Sequence, residues 1–334
     1  MRAYVIPSGA NSVDSLRAVE RPDPKPRPGQ VLVGLRAASL NYRDQMIATG
    51  RYFQPLTRDT VPLSDGAGEV LEIGAGVTSV VPGDKVAGTF SQPDPEGPAS
   101  GAPQARGVPL DGMLCEKVVM WESGVVKLPR HYSFSQGACL PCAGVTAWNC
   151  LFAAGHPVRP GQTVLVQGTG GVSIWALQFA RMAGCRVIAT TSQESKVAKL
   201  KALGASDIIN YREHENWDQR VMELTEGRGV DCVVEVGGAG TLQRSLNALA
   251  RGGKIGLIGV MTQGTSNPHT LMLKAGHLHG ILVGDRDLFV QMNAAIEANG
   301  IQPVIEQVYA FEDAREAFNK AASGQFIGKV VISI

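Results

Sequence analysis

The stretch TVLVQGTGGVS at residues 163–173 decides the fold of this 334-residue chain. Its first five residues form a short apolar run typical of a buried strand, and a glycine-rich turn follows. After the turn, apolar residues including Trp175 and Phe179 fall on one face of a helix. Backbone N–H groups at such a strand–turn–helix junction bind pyrophosphate. The stretch therefore predicts a dinucleotide-binding turn formed by Gly168, Gly170, Gly171 and Val172, with Ser173 as the third small position.

The residues that follow repeat this alternation of strand and helix. Strand-like runs are predicted at 186–190, 207–210, 230–236 and 254–260, and helices at 194–203, 217–225 and 242–250. Alternating strands and helices of about ten residues indicate parallel βαβ units, so we expect an α/β fold with a doubly wound parallel sheet of the Rossmann type. After residue 260 the pattern is irregular. It ends with a helix near 311–322 and a strand at 329–334 that rejoins the first domain.

The N-terminal part has a different character, with short strand-like runs and little helical pattern. Runs at 2–6, 31–35, 68–73 and 77–81 are separated by Gly and Pro turns, which predicts a compact β-barrel or sandwich. The segment RPDPKPRPG at 21–29 reads as an extended connector. Residues 92–112 are rich in Pro, Gly and Ala, which predicts a long surface loop near a binding site.

Composition excludes several classes of protein. Lys and Arg number 31 and Asp and Glu 30, so the chain lacks the basic excess expected of a nucleic-acid or membrane-surface binder. No apolar run reaches the roughly 18 residues of a membrane helix, and the start MRAYVIPSGA does not resemble a secretory signal. Six cysteines are too few for a disulfide scaffold and indicate a reducing cytosol. We therefore expect a soluble, cytoplasmic protein of about two domains.

The adenosine end of the cofactor is predicted about twenty residues after the glycine turn. An Asp or Glu there would hold the ribose of NAD, whereas this chain has Thr190-Thr191-Ser192, then Lys196, and Tyr211 after the next strand. Hydroxyls and a lysine suit the 2′-phosphate of NADPH, and a carboxylate would repel it. These residues therefore predict NADPH as the cofactor. A purely structural alternative is that Ser192 caps the next helix and that Lys196 is solvated.

Motifs spread over nearly the whole chain resemble the medium-chain dehydrogenase/reductase superfamily, in its zinc-independent quinone oxidoreductase-like branch. They are the glycine turn, LNYRD at 40–44, DGAGEV at 65–70, PGDKV at 82–86, CAGVTA at 142–147, LGA at 203–205 and GKVV at 328–331. The resemblance implies a GroES-like catalytic domain at 1–125 completed by 285–334, a Rossmann NAD(P)-binding domain at 126–284, and a homodimer joined through the Rossmann domains.

Zinc is where the chain departs from the alcohol dehydrogenases of this superfamily. Those enzymes hold a catalytic zinc with a Cys near the position of Asn41, a His at that of Ser64 and a Cys at that of Cys142. Only Cys142 remains here, and Asn and Ser are poor zinc ligands. The cysteine cluster of their structural zinc is also missing between 92 and 115. We therefore predict no metal. Cys139 and Cys142 have the spacing of a redox-active pair or of one half of a metal site, but the sequence contains no second such pair. His277 and His279 are also close in sequence, but they lack a third metal ligand.

Without a Lewis acid, an acceptor already activated by conjugation is the better substrate. We expect hydride transfer from NADPH to quinones or to α,β-unsaturated carbonyls, with the developing oxygen stabilised by hydrogen bonds. By resemblance, Asn41, Arg43, Asp44 and Tyr52 are the catalytic candidates, although Tyr52 could instead be a packing aromatic beside Phe53. The alternatives are an enoyl-thioester or alkenal reductase, and a non-catalytic NADPH-binding structural or regulatory protein.

Further cofactor contacts are expected at two kinds of position. Gly237, Gly259 and Val260 follow predicted strands, at the carboxyl edge where ligands of open α/β sheets bind. The resemblance also implies contacts from Thr146, Gly284 and Lys329. The last of these would suit a phosphate, unless it is simply a solvent-facing lysine of the terminal strand.

Overall fold

The computed structural model describes residues 1–92 and 104–334. Contacts between Cα atoms divide the chain into two units: unit 1 comprises Met1–Ala143 and Asp285–Ile334, and unit 2 comprises Gly144–Gly284. Residues 126–143, assigned from the sequence to the second domain, thus belong to unit 1. Within the described ranges, no helix combines the length and apolar character needed to cross a bilayer.

The described residues contain strands of two to ten residues in unit 1 and strands of four to nine residues in unit 2. In chain order they are β1 Arg2–Val5, β2 Arg17–Glu20, β3 Gln30–Ser39, β4 Asp65–Ile73, β5 Lys85–Gly88, β6 Ser91–Gln92, β7 Gln104–Ala105, β8 Lys117–Trp121, β9 Val125–Lys127, β10 Thr163–Val166, β11 Arg186–Thr191, β12 Asp207–Asn210, β13 Val230–Glu235, β14 Leu249–Leu257, β15 His277–Gly280, β16 Ile305–Tyr309 and β17 Lys329–Ser333.

The α-helices are concentrated in unit 2 and in the C-terminal part of unit 1. They are α1 Tyr42–Ala48, α2 Phe134–Gly137, α3 Val145–Trp148, α4 Gly171–Met182, α5 Val197–Ala202, α6 Trp217–Leu224, α7 Ala239–Ala248, α8 Pro268–Leu273, α9 Arg286–Asn299 and α10 Ala314–Ser323. Two π-helical segments, Leu140–Gly144 and Asn149–Ala153, flank α3.

Unit 2 is built on a six-stranded parallel sheet in the order β12-β11-β10-β13-β14-β15. From β10 the chain adds β11 and β12 on one side and then β13, β14 and β15 on the other. The boundary between β10 and β13 is therefore the switch point of a doubly wound sheet, which confirms the predicted Rossmann architecture. The sheet's three central strands are buried on both faces: Leu165, Ile188 and Val233 lie on one face, Val164, Val187 and Cys232 on the other, and all six are fully buried. The glycine turn follows β10 and therefore lies where such sheets bind ligands.

Unit 1 is built on a mostly antiparallel seven-stranded sheet. The order is β16-β17-β3-β4-β5-β9, with β8 pairing the other part of β3. The terminal strand β17 pairs antiparallel with β3, for example Val331 with Ser39, so the predicted return of the chain end to the first domain is confirmed. This pairing places Lys329, at the start of β17, close to Leu40 at the end of β3.

Two expectations for unit 1 are wrong. Residues 77–81 are irregular, with a bend at Ser79, rather than a strand. Val77 and Val80 are buried at a spacing of three, and the N–H groups of Thr78 and Ser79 donate to the Glu122 side chain instead of to a neighbouring strand. The predicted surface loop at 92–112 lies partly outside the described residues, at 93–103. The portion from 106 to 108 is buried instead of exposed.

In unit 2 the element types are as predicted and several boundaries move. The helix predicted at 194–203 begins as a 3-10 turn, Glu194–Lys196, before α5. The strand predicted at 254–260 begins earlier and ends earlier, as β14, because the pairing of Leu249 with Val230 extends it backward across a register shift. The segment after residue 260, which has no clear pattern in the sequence, forms α8 and β15 in unit 2 and then α9 in unit 1.

Candidate functional site

The glycine turn in unit 2 leaves open space in front of its backbone. Gly168 has a φ of +70°, a conformation that side chains rarely adopt, and Gly170 directly precedes α4. A Cβ atom built on either glycine would meet nothing within 4 Å. The first N–H groups of the twelve-residue helix α4 have no partner in the preceding turn of helix. The turn therefore leaves room for a pyrophosphate to approach the backbone at the start of α4.

Ser173, the departure from the usual Gly or Ala, is accommodated by a hydrogen bond. Its side chain is buried, and its hydroxyl donates to the carbonyl of Gln167 at 2.6 Å. The hydroxyl thus finds its partner at the end of the segment that leads out of β10. The substitution keeps helix α4 close to the strand and does not obstruct the turn.

Lys196 lies against the glycine turn. Its side chain is only 7% exposed, and its ammonium donates to the Thr169 hydroxyl at 3.0 Å. A solvated surface position for Lys196 is therefore wrong. The Gly168 N–H donates to the Thr190 hydroxyl at 3.1 Å, which ties the turn to the end of β11.

The other residues of the predicted adenosine site lie close by in the same unit. Thr191 is buried and its hydroxyl bonds to the backbone of Gln193, which precedes the 3-10 turn. Ser192 is half-buried and does not cap that turn, because Gln193 occupies the cap position. Tyr211 is exposed, and its N–H donates to the Thr191 carbonyl at 2.9 Å. The structure thus groups Thr191, Ser192, Lys196 and Tyr211 around the end of β11.

The remaining predicted cofactor residues of unit 2 are more varied. A Cβ on Gly259 would lie 2.0 Å from the Val236 carbonyl, and one on Gly237 would lie 2.3 Å from the Thr241 hydroxyl. Close packing alone therefore requires glycine at both positions. Val260 is exposed, Thr146 is buried in α3, and Gly284 ends the unit. A contact of these residues with a cofactor stays a prediction.

Sequence reasoning missed Glu235, a fully buried carboxylate at the end of β13. It accepts hydrogen bonds from two backbone N–H groups and three side chains: Gly237, Gly238, Gln167, Thr241 and Ser245. This network joins the segment after β10 to the loop after β13, the two sides of the sheet's switch point. The available signal was a charged residue within the apolar run VVEV, which buried strands tolerate only when it is fully bonded.

In unit 1, Asn41, Ser64, Asp65 and Lys329 form a connected polar group, which we call the Lys329 cluster. The Lys329 ammonium donates to the Leu40 carbonyl and to Asn41 Oδ1, both at 2.6 Å, and lies 3.8 Å from Asp65 Oδ2. Asn41 Nδ2 donates to Ser64 Oγ at 3.3 Å, and Ser64 Oγ donates to Asp65 Oδ1 at 2.7 Å. A solvent-facing position for Lys329 is therefore wrong, and its contact with a phosphate stays a prediction.

Asp44 holds the first turn of α1 next to this cluster. It is fully buried, and its Oδ2 accepts the Asn41 N–H at 2.7 Å. Its Oδ1 is also buried and has no hydrogen-bond partner among the described residues. Burial raises the pKa of Asp44 to about 6, although the nearby Arg43 guanidinium opposes this shift. The geometry makes Asp44 a positioning residue for the Asn41 backbone.

Arg43 joins Tyr52 to the segment that follows the undescribed residues. Its guanidinium donates to the carbonyls of Arg106 at 2.6 Å and Val108 at 3.2 Å. The guanidinium carbon lies 5.0 Å from the centre of the Tyr52 ring and 4.9 Å from that of Phe90, within cation–π range. Arg43 therefore clamps this segment and Tyr52 together. The Tyr52 ring also lies 4.3 Å from the Phe53 ring, so it has the packing contact that the alternative interpretation expects.

The residues at the zinc-ligand positions do not fit a zinc ion. Asn41 and Ser64 are poor ligands, and the cluster already contains the Lys329 ammonium. Cys142 is the one good zinc ligand at these three positions, and a catalytic zinc takes three ligands from the protein. In the two described ranges, no group of three or more His, Cys, Asp or Glu side chains is arranged to hold a metal. This includes His277 and His279, although His156 lies 5.8 Å from His277 between ring centres.

Comparisons with known proteins match a separate family model to each part of the chain. Residues 27–130 match the family described as the alcohol dehydrogenase GroES-like domain, and residues 171–298 match the zinc-binding dehydrogenase family. A zinc-type alcohol dehydrogenase-like protein of Schizosaccharomyces pombe is 40% identical, with 99% of each chain covered. A solved NAD-dependent alcohol dehydrogenase is 31% identical over 100% of both chains, with a TM-score of 0.91. A solved quinone oxidoreductase of Pseudomonas syringae pv. Tomato DC3000 is 28% identical over 100% of both chains, with a TM-score of 0.84.

Proposed function

The chain belongs to the medium-chain dehydrogenase/reductase superfamily and is an oxidoreductase that uses a nicotinamide cofactor, and from this premise we propose that it is an NADPH-dependent, metal-free reductase of quinones or other activated alkenes. One observation carries the proposal. Of the three positions where zinc-dependent relatives in this superfamily bind their metal, two carry the Asn41 amide and the Ser64 hydroxyl, and the buried Lys329 ammonium lies beside them. Such groups donate hydrogen bonds but do not act as a Lewis acid, so an acceptor activated by its own conjugation suits them best.

Bound NADPH would supply a hydride from C4 of its nicotinamide. Asn41 uses one N–H of its amide on Ser64, and the second N–H is the proposed donor to the substrate oxygen as negative charge develops there. Tyr52 is the proposed proton donor to that oxygen, with its ring held by the Arg43 guanidinium. Arg43 and Asp44 act through their neighbours, Arg43 on Tyr52 and Asp44 on the Asn41 backbone.

The preference for NADPH rests on unit 2. The segment after β11 carries hydroxyls rather than a carboxylate, and the Lys196 ammonium is held at the edge of the open glycine turn. An ammonium there favours the 2′-phosphate dianion, which NADH lacks. Equilibrium titration with both cofactors tests the preference. An affinity for NADH equal to or above that for NADPH would refute it.

Two further properties are part of the proposal. The first is a homodimer formed through unit 2, supported by β15, which pairs on one side only among the described strands and lies next to the exposed residues Leu273 and Leu282. Sedimentation equilibrium tests the proposed dimer.

The second property is a cytoplasmic location, supported by six cysteines that are all free thiols. The near-neutral net charge of +1 offers no support for a nucleic-acid or membrane partner.

NADPH oxidation with a panel of quinones, enones, enoyl-thioesters and simple ketones tests the activity. We expect turnover of quinones or enones, and turnover should survive dialysis against a chelator with no zinc found by elemental analysis. Turnover confined to enoyl-thioesters would identify the alternative thioester reductase. Cofactor binding without turnover of any acceptor would favour a non-catalytic protein, and loss of activity on chelation would refute the metal-free mechanism.

A further inference from the structure

The buried ammonium of Lys329 requires a structural explanation. The side chain is only 2% exposed, and an unpaired charge at such a depth would be strongly destabilising. Its donors are directed to the Leu40 carbonyl and to Asn41 Oδ1, and the fully buried Asp65 carboxylate provides the opposite charge 3.8 Å away. Among the described residues, the partners of this ammonium all belong to unit 1 and come from the end of β3 and the start of β4, whereas Lys329 itself begins β17.

These contacts determine which way the Asn41 amide points. A lysine ammonium only donates hydrogen bonds, so the atom of Asn41 that faces it must be the oxygen. The amide nitrogen is then directed to Ser64 Oγ, whose own proton is given to Asp65 Oδ1. The direction of each hydrogen bond follows from the one before it, and the ring closes at the Asp65–Lys329 ion pair. Without the ammonium, the amide could rotate by half a turn and present its oxygen where a donor is needed.

Asp65 carries a second connection from this ring. Its Oδ2 accepts the N–H of Cys142 at 3.1 Å, so the same carboxylate holds the backbone at the third zinc-ligand position. All three of those positions, Asn41, Ser64 and Cys142, are therefore hydrogen-bonded to the ring that Lys329 closes. A single internal cation organises the part of unit 1 that a metal organises in the zinc enzymes.

We propose that Lys329 is a positioning residue that takes the structural place of the missing metal: it neutralises Asp65 and orients the Asn41 amide so that the N–H not bonded to Ser64 faces the substrate oxygen. The orientation of Asn41 toward a substrate rests on the proposed function, whereas the coupling of Lys329 to Asp65 does not. The competing role, a contact between Lys329 and a cofactor phosphate, predicts different measurements.

The test uses the full-length protein and the variants Lys329→Met, Asp65→Asn and the double variant. Loss of the ammonium should lower kcat by about 10- to 100-fold, because a misplaced donor costs that much, and should leave the Kd for NADPH within about twofold of the unaltered protein. If Lys329 instead binds a cofactor phosphate, the Kd for NADPH rises at least about tenfold and kcat at saturating NADPH is nearly unchanged. That result would overturn the proposal.

Equilibrium unfolding of the same set tests the ion pair without any turnover. Each single change leaves one buried charge unpaired, so Asp65→Asn should destabilise the Lys329→Met protein less than it destabilises the unaltered protein. Strictly additive effects would show that the two charges are not coupled. If Lys329→Met alone does not fold, the double variant, which buries no unpaired charge, should fold and still show the low kcat. A double variant with normal kcat would overturn the positioning role.

Lys254 provides a matched control, because it is also a buried lysine but lies in unit 2 and donates to the carbonyls of Leu151 and Ala154. Lys254→Met should reduce stability and leave kcat within about twofold. An equal fall in kcat would show that any buried lysine has this effect, and would overturn the specific role of Lys329. If the unaltered protein reduces no acceptor, the proposed function fails, while the cofactor affinities and the unfolding cycle still decide the role of Lys329.

Discussion

Asp44 gives the protein a stability that depends on pH in an unusual direction. Most acidic residues of folded proteins have lowered pKa values, whereas burial raises the pKa of Asp44 from 3.8 to about 6. The folded state therefore binds this proton more tightly than the unfolded state. A difference of about two pKa units corresponds to about 3 kcal/mol.

The sign follows from proton linkage. Below the unfolded pKa of 3.8, Asp44 is protonated in both states and its burial carries no charge penalty. As the pH rises from about 4 to about 6, the unfolded state ionises first, and this residue's contribution to the free energy of unfolding falls by about 3 kcal/mol. Above about pH 6 the contribution stays constant. Asp44→Asn removes the titration and keeps a side-chain oxygen that can accept the Asn41 N–H.

The measurement is urea unfolding of the unaltered protein and the Asp44→Asn variant at half-unit steps from pH 4.5 to 7.5. Subtracting the two free energies at each pH removes the contribution of other titrating groups. We expect the variant to gain relative stability as the pH rises, by most of the 3 kcal/mol, with the change complete near pH 7. A carbon-13 spectrum of labelled aspartates should show one carboxyl with a midpoint near 6 that is missing in the variant. A constant difference in free energy across this range would refute the reasoning.

Three other predictions address unit 2 and the clamp at Arg43. Lys196→Met should raise the Kd for NADPH about 10- to 100-fold, which is the loss of affinity expected for one charge-assisted contact, and should leave the Kd for NADH nearly unchanged in the same titration. An equal loss of affinity for both cofactors would contradict a contact of Lys196 with the 2′-phosphate. Gly259→Ala should lower the free energy of unfolding by about 1–3 kcal/mol, because the added Cβ would lie 2.0 Å from a carbonyl oxygen. In the control variant Gly280→Ala, the added Cβ meets no atom within 4 Å, so the free energy of unfolding should change far less. Arg43→Met removes two hydrogen bonds to 106–108 and should speed amide hydrogen exchange there; unchanged exchange would show that other contacts hold the segment.

Much of unit 2 could be predicted because its signals are local. The apolar run at 163–166, the glycines after it and the repeated strand–helix rhythm each depend on neighbouring residues, so the parallel sheet and its switch point follow from the sequence. The short strand β15 escaped prediction because HLHG has neither β-branched residues nor alternation. It is a strand only because β14 pairs with it.

Among the site residues, too, residue type could be interpreted from the sequence, whereas burial depended on the tertiary structure. The sequence identified Asn41, Lys196 and Lys329 as polar residues in informative motifs, but left a solvated alternative for both lysines. Their burial depends on partners far along the chain, Thr169 for Lys196 and Leu40 with Asn41 for Lys329. Glu235 was missed for the same reason, because its five donors converge only after the strands are assembled.

By itself, the sequence determined the succession of strands and helices and the glycine turn that can approach a pyrophosphate, since each is a property of residue types and their spacing. Its resemblance to the zinc-dependent enzymes also showed that two of their three zinc ligands are replaced. Only the tertiary structure decided that Lys329 is an internal cation and that Asp44 is a carboxyl with a raised pKa. Solvation and charge pairing depend on which distant segments exclude water from a side chain. In this protein, the pairing of β17 with β3 brings Lys329 to Asn41 across almost the whole length of the chain.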